Sequence, residues 1–116
     1  RPFISLQDFI NSVVNSINYK QKEPFEVFNQ TTELLGIKYL GQTIANKASI
    51  IGSSSKIKQI KNPRKEKETH NMQMENKKFL KLLKTKPITF ANECQNILLK
   101  LNKYKKNIIK FKKSLV

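Results

Sequence analysis

Seven lysines follow Glu93, at positions 100, 103, 105, 106, 110, 112 and 113, and no acidic residue accompanies them. An ammonium group is a compact point charge with three donors, well suited to phosphate oxygens and poor at reading base edges. A run of this kind therefore points to a polyanion gripped through its backbone. Other chemistry is thinly represented. The single histidine, His70, and the single cysteine, Cys94, cannot build a zinc site of known spacing. His70 stands in a polar stretch, as a surface or capping residue does, and Cys94 falls on an apolar stripe, as a small buried hydrophobe does. Gly36, Gly41 and Gly52 are too widely spaced for a phosphate loop or a dinucleotide fingerprint. The eight acidic residues include no pair suited to general acid and base roles. The expectation is a binding protein with no catalytic residue, no metal and no cofactor.

The 116 residues carry 23 Lys and Arg against 8 Asp and Glu, a net charge of +15, with a hydrophobic fraction of 38%. That fits one domain, residues 1–116, with a modest core and a portion that needs a partner to stay ordered. The charge is lopsided: residues 1–55 set five cations against four acids, whereas residues 56–116 set eighteen against four. The N-terminal half reads as ordinary packing and the C-terminal half as an anion-facing surface, with nucleic acid the first candidate. A lone cysteine excludes an internally stapled secreted scaffold. No apolar run reaches the ~18 residues of a membrane span, and Arg1-Pro2-Phe3-Ile4 shows no signal-peptide pattern. Lys, Asn and Ile supply 21, 12 and 13 residues against two arginines, a bias that A- and T-rich codons produce and that hints at a protist or organellar genome.

The elements follow from periodicity. Ser5-Leu6-Gln7-Asp8 resembles a capping box, and Leu6, Phe9, Ile10, Val13, Val14 and Ile17 recur at helical spacing behind it, predicting a helix over about 5–18. Glu23-Pro24-Phe25 opens a second expected helix, 24–35, closed by Gly36. The β-branched, glycine-containing stretch from Ile37 to Pro63 reads as a basic β-hairpin arm over about 37–63 with its tip near Gly52. Met72, Phe79, Leu82 and Leu83 mark a helix of about 69–84, and Phe90, Cys94, Ile97, Leu98, Leu101 and Ile108 a long basic-ended helix of about 88–106. The predicted fold is mainly α: a bundle of amphipathic helices with a projecting basic β-hairpin arm.

In this order the segments resemble small-subunit ribosomal protein seven. Pro24-Phe25-Glu26-Val27-Phe28-Asn29-Gln30 is similar to that family's P-L-E-V-F-E-Q, and Ser5-Leu6-Gln7-Asp8-Phe9-Ile10 to the start of its first helix. Lys47 through Ile57 looks like a drifted form of its glycine-tipped arm, Phe90-Ala91-Asn92-Glu93 like its L-A-N-E, and Ile109-Lys110-Phe111-Lys112-Lys113 like the basic segment that follows. The stretch from Glu68 to Phe79 also resembles the family's C-terminal D-T-H-K-M-A-E-A-N-K-A-F in a competing register, and both remain open; the colinear one is preferred. The basic N-terminal tail, the second arm glycine, the tryptophan after the arm and the final helix of the family are missing, as in a reduced organellar version.

The resemblance implies a structural constituent of the small ribosomal subunit that binds rRNA of the head, the three-prime major domain, beside neighbouring head proteins, in a ribosome of mitochondrial or other organellar kind. Carried over by position, Lys47, Lys56, Lys58 and Lys61 belong to an arm that reaches toward exit-site tRNA and mRNA. Arg64, Lys65, Lys67, Lys77, Lys78, Lys81, Lys84, Lys103, Lys105, Lys106, Lys110, Lys112 and Lys113 line the rRNA-facing body. The rival reading is a non-ribosomal basic helical subunit of a protist or mitochondrial assembly, whose lysines meet acidic protein or anionic lipid. A DNA-binding module ranks lower, for want of a recognition-helix pattern.

Overall fold

The computed structural model describes residues 1–61 and 73–114, and for Lys113 the backbone alone. The chain is mainly helical with one small antiparallel sheet. Strand β1 (Pro2–Phe3) precedes helix α1 (Leu6–Ile17), and strand β2 (Glu33–Leu34) precedes helix α2 (Ile37–Ile50). Helices α3 (Lys77–Leu83), α4 (Phe90–Lys103) and α5 (Lys105–Lys110) follow, with a single 3-10 turn at Lys112–Ser114. β1 pairs with β2 in the register Pro2 to Leu34 and Phe3 to Glu33. Two helix pairs form the body: α1 on α3 and α2 on α4.

α1 begins where the sequence says it should. Ser5 is its N-cap, and the Ser5 hydroxyl accepts from the Asp8 amide at 3.0 Å. The other half of the expected capping box is absent: the buried Asp8 carboxylate accepts instead from the Ile88 amide, 2.8 Å away, and so ties α1 to the segment that leads into α4. The face that α1 turns inward is polar. Asp8 and Ser12 are buried on it, and the Asn15 amide donates to the Leu82 and Leu83 carbonyls at 3.1 and 2.9 Å, serving the unpaired C-terminal carbonyls of α3. The apolar stripe looks outward, with Leu6 68% and Ile17 77% exposed. Phe79, Leu82 and Leu83 of α3, together with Ala48 of α2, are the buried apolar residues among those described.

Several sequence expectations are corrected. Residues 24–35 are not helical. Glu26 turns its carboxylate back onto the Lys22 and Glu23 amides at 2.8 and 3.3 Å and onto the Tyr19 hydroxyl at 2.8 Å, which organises a compact turn in place of a helix. Beyond it the Thr31 and Thr32 hydroxyls reach the Phe3 carbonyl at 3.1 Å, and Glu33 and Leu34 are taken by the sheet. Gly36, expected as a terminator, is the N-cap of α2.

The hairpin arm of 37–63 is overturned by the same helix. α2 runs to Ile50, and Gly52 at φ 72 ends it: the Ser53 amide reaches the Ala48 carbonyl at 3.1 Å and the Gly52 amide the Ser49 carbonyl at 3.0 Å. That is a Schellman cap, for which a left-handed glycine serves as well as it would at a hairpin tip. Residues 53–61 continue without regular structure, and the Ile57 side chain lies beside Gly41 of α2. Residues 62 and 63 lie outside the described residues.

The two helices expected last in the sequence, 69–84 and 88–106, are not formed over their full expected length. α3 starts at Lys77 rather than near 69, with residues 69–72 outside the described residues, and its entry is held by the Asn29 amide on the Glu75 carbonyl and the Asn76 amide on the Thr31 carbonyl, both at 2.8 Å. It ends at Lys84 in a left-handed conformation, φ 60. α4 is capped by Thr89, whose hydroxyl accepts from the Asn92 amide at 3.3 Å, and the Glu33 carboxylate accepts from the Phe90 amide at its positive end. Phe3 meets Phe90 edge to face at 5.1 Å. The expected continuous helix of 88–106 is interrupted at Tyr104, where the amide reverts to an i−3 bond with Leu101, and α5 resumes from it. The radius of gyration, 18.3 Å, exceeds the ~13 Å of a compact domain of this length.

Candidate nucleic-acid interface

The lysines singled out by charge fall into three groups on different elements. The first occupies the end of α4, α5 and the closing turn. Lys103, Lys105, Lys106, Lys110 and Lys112 are exposed, and among the described residues none has an acidic partner within salt-bridge distance. Lys103, Lys106 and Lys110 recur at i, i+3 and i+7, which places them along one side of the helical path. Lys110 leans over the Phe111 ring at 5.4 Å, a contact that leaves its ammonium free for an anion. Lys100, one turn before Lys103 and exposed, extends the row and was missing from the sequence-derived set; its helical spacing from Lys103 was the available signal. Sequence reasoning also placed Lys113 here, whose side chain lies outside the described residues.

The second group, Lys56, Lys58 and Lys61, is exposed on the irregular segment that follows α2 and has no acidic partner among the described residues. It does not sit on a hairpin. Lys47, assigned to the same arm, belongs to α2, and its ammonium donates to the Gln95 side-chain carbonyl of α4 at 2.9 Å. It fastens the α2–α4 pair and is half-buried, so its first task is structural. Beside this fastening, burial pushes the Cys94 thiol up, with Glu93 adding to the effect and Lys47 opposing it. A raised thiol on a half-buried site is the behaviour of a packing residue, not of a nucleophile.

The third group is on and near α3, and the structure divides it. Lys78 is taken internally: its ammonium meets the Glu26 carboxylate at 3.0 Å and lies 4.8 Å from the centre of the Phe28 ring, which in turn packs edge to face on Tyr19 at 5.3 Å. The Glu26 side chain is only 3% exposed. Its carboxyl is held down to about 2, chiefly by the Lys22 amide, then by Lys78 and Tyr19, with burial opposing. The Tyr19 phenol is correspondingly raised, first by its bond to Glu26. Lys77 pairs loosely with Glu75 at 3.8 Å on the surface, a contact of little energetic weight. Lys81 and Lys84 are exposed and carry no acidic partner among the described residues. Arg64, Lys65 and Lys67 lie outside the described residues.

The arrangement can therefore do one kind of chemistry well, which is to present exposed ammonium groups with no acidic partner among the described residues, on the C-terminal helices and on the irregular segment after α2, to a polyanion. Among the described residues no helix is long and apolar enough to cross a membrane. The chain matches no protein-family model, no curated protein sequence and no solved structure.

Proposed function

We propose that this chain is an RNA-binding structural constituent of a small ribosomal subunit, a divergent organellar and most simply mitochondrial member of the protein-seven family, bound to rRNA of the head beside neighbouring head proteins. The observation that carries the reading is the lysine row of α4 and α5. A helix bearing Lys100, Lys103, Lys106 and Lys110 with no acidic partner among the described residues repels itself until an anion of comparable charge density covers it. Phosphate spaced along a folded RNA supplies that charge. Lysine contacts of this type position the protein and recognise the shape of the RNA rather than its bases.

The correction at residues 37–61 removes any reason to assign these residues to an arm at the exit site. Lys56, Lys58 and Lys61 contribute to the same phosphate-facing charge, and Lys81 and Lys84 add a patch on α3. Lys47 and Lys78 serve the protein's own packing. The test is co-sedimentation of the tagged chain with ribosomal subunits from its source, followed by ultraviolet crosslinking and identification of the RNA. The proposal expects small-subunit rRNA and release by nuclease. Adducts with large-subunit rRNA alone end the family assignment, and retention after complete nuclease digestion supports the non-ribosomal subunit instead.

A further inference from the structure

The lysine row accounts for one side of the C-terminal helical path and leaves the other unexplained. Phe90, Cys94, Ile97, Leu101, Tyr104, Ile108 and Phe111 recur at spacings of three and four along α4 and α5, which is one apolar stripe. At its start the stripe is covered, for Phe90 packs on Phe3 and α4 lies against α2. From Ile97 onward the cover stops: Ile97, Leu101, Tyr104, Ile108 and Phe111 are each between 42 and 59% exposed. Large apolar side chains at i, i+3, i+7 and i+10 are the anchors of a helix that lies in a groove. Lys105 and Lys112 flank this row and Lys103 and Lys106 lie on the far side, while Lys110 lies between them with its ammonium over the Phe111 ring at 5.4 Å.

We propose that Leu101, Tyr104, Ile108 and Phe111 dock in a helix-accepting groove of a second protein whose rim carries Asp and Glu, with Lys105 and Lys112 at that rim and Lys103 and Lys106 left facing phosphate. Charge complementarity selects this occupant. A second copy of the chain suits the groove poorly: it carries 23 cations against 8 acids, and docked helix on helix it sets lysine against lysine, with no acidic residue after Glu93 to receive them. A lipid surface fits poorly: a helix lying on it by its apolar row would hold the far lysines about 10 Å from the headgroups, across its own diameter, and so forgo most of the attraction that anchors basic helices. RNA accommodates the lysines but gives Leu101 and Ile108 nothing to bury against. Only the assignment of the far row rests on the function proposed above; the docking of the apolar row stands on exposure and spacing.

The test places a photo-crosslinking residue at position 108, and separately at position 106, in the full chain expressed in its source cells, with the native complex purified before irradiation. The expected result is that position 108 forms adducts with a peptide of another protein, apolar and bearing Asp or Glu, while position 106 forms adducts with RNA. Tyr104→Ser with Ile108→Ser in the same chain should then lower recovery of that partner protein by about tenfold or more and leave RNA retention unchanged. Adducts from position 108 on RNA, on lipid or on another copy of the chain overturn the proposal, as does recovery of the partner unaffected by the double substitution. Failure of the ribosomal reading is seen separately, as loss of RNA adducts at position 106 with the protein adducts at 108 retained.

Discussion

Replacing Asn15 by Ala tests the least expected feature of the body, the inward-facing polar side of α1. The Asn15 amide donates to two carbonyls at the C-terminal end of α3, Leu82 at 3.1 Å and Leu83 at 2.9 Å. Each such bond is worth about 0.5 to 1.5 kcal/mol net, so losing both costs about 1 to 3 kcal/mol. Alanine returns about 0.6 kcal/mol through its higher helix propensity, and water can reach this half-buried site, so the expected net loss is about 1 to 2 kcal/mol. Ile17→Ser on the outward stripe is the control. With Ile17 77% exposed, the isolated chain should change by no more than about 0.5 kcal/mol. Urea unfolding of both variants followed by far-ultraviolet circular dichroism gives the order directly. Should Ile17→Ser prove the more damaging, or Asn15→Ala stabilise the fold, α1 packs by its apolar side and the α1–α3 interface described here is wrong.

The remaining predictions concern the core, the Glu26 turn and the α2 cap. Phe79 is fully buried in a small core, so Phe79→Ala should cost about 3 to 5 kcal/mol, read as a lowered urea midpoint; a loss under about 1 kcal/mol would place Phe79 outside the core. Because the Glu26 carboxyl is held at about 2 against an ordinary 4.5, it contributes stability that is fully present above about 4.5 and is lost as the pH falls from there toward 2. Glu26→Gln should therefore destabilise the chain at neutral pH and flatten acid unfolding over that window, and an unchanged acid profile contradicts the Tyr19–Glu26–Lys78 arrangement. Gly52→Ala should cost about 1 kcal/mol because of the left-handed backbone, whereas Gly36→Ala, with φ −76 and open space around it, meets no backbone strain and should lose only the N-cap preference of glycine over alanine, about 0.5 kcal/mol, in the same assay.

Local signals were readable where one element decides its own shape. Ser5 and the stripe behind it predict α1, the stripe from Phe90 predicts α4, and the Ser5 cap forms with the Asp8 amide. The failures share a cause, which is that a side chain used over distance looks the same in sequence as one used locally. Glu26 in a helical-looking window becomes the receiver for Tyr19, two amides and Lys78. Gly36 and Gly52 were both legible as boundaries, but their roles as cap and terminator of α2 follow only from where that helix lies. Periodicity finds the apolar side of α1 and not whether this chain is the one that buries it. The same limit holds for the lysines, since nothing local separates Lys78, spent on Glu26, from Lys81 one turn later, which is exposed with no acidic partner among the described residues.

The salt dependence of RNA affinity tests most directly whether the lysine row exists to neutralise phosphate. Lys103→Ala, Lys106→Ala and Lys110→Ala combined should preserve helicity, since alanine is the strongest helix former. If each ammonium meets one phosphate, the slope of log affinity against log salt should flatten by about 2.1 to 2.7, so that the loss of affinity between 50 and 200 mM salt becomes roughly 20-fold to 40-fold smaller. A slope identical to that of the unaltered chain, on small-subunit rRNA and with helicity intact, means that these ammonium groups face water and contradicts the account.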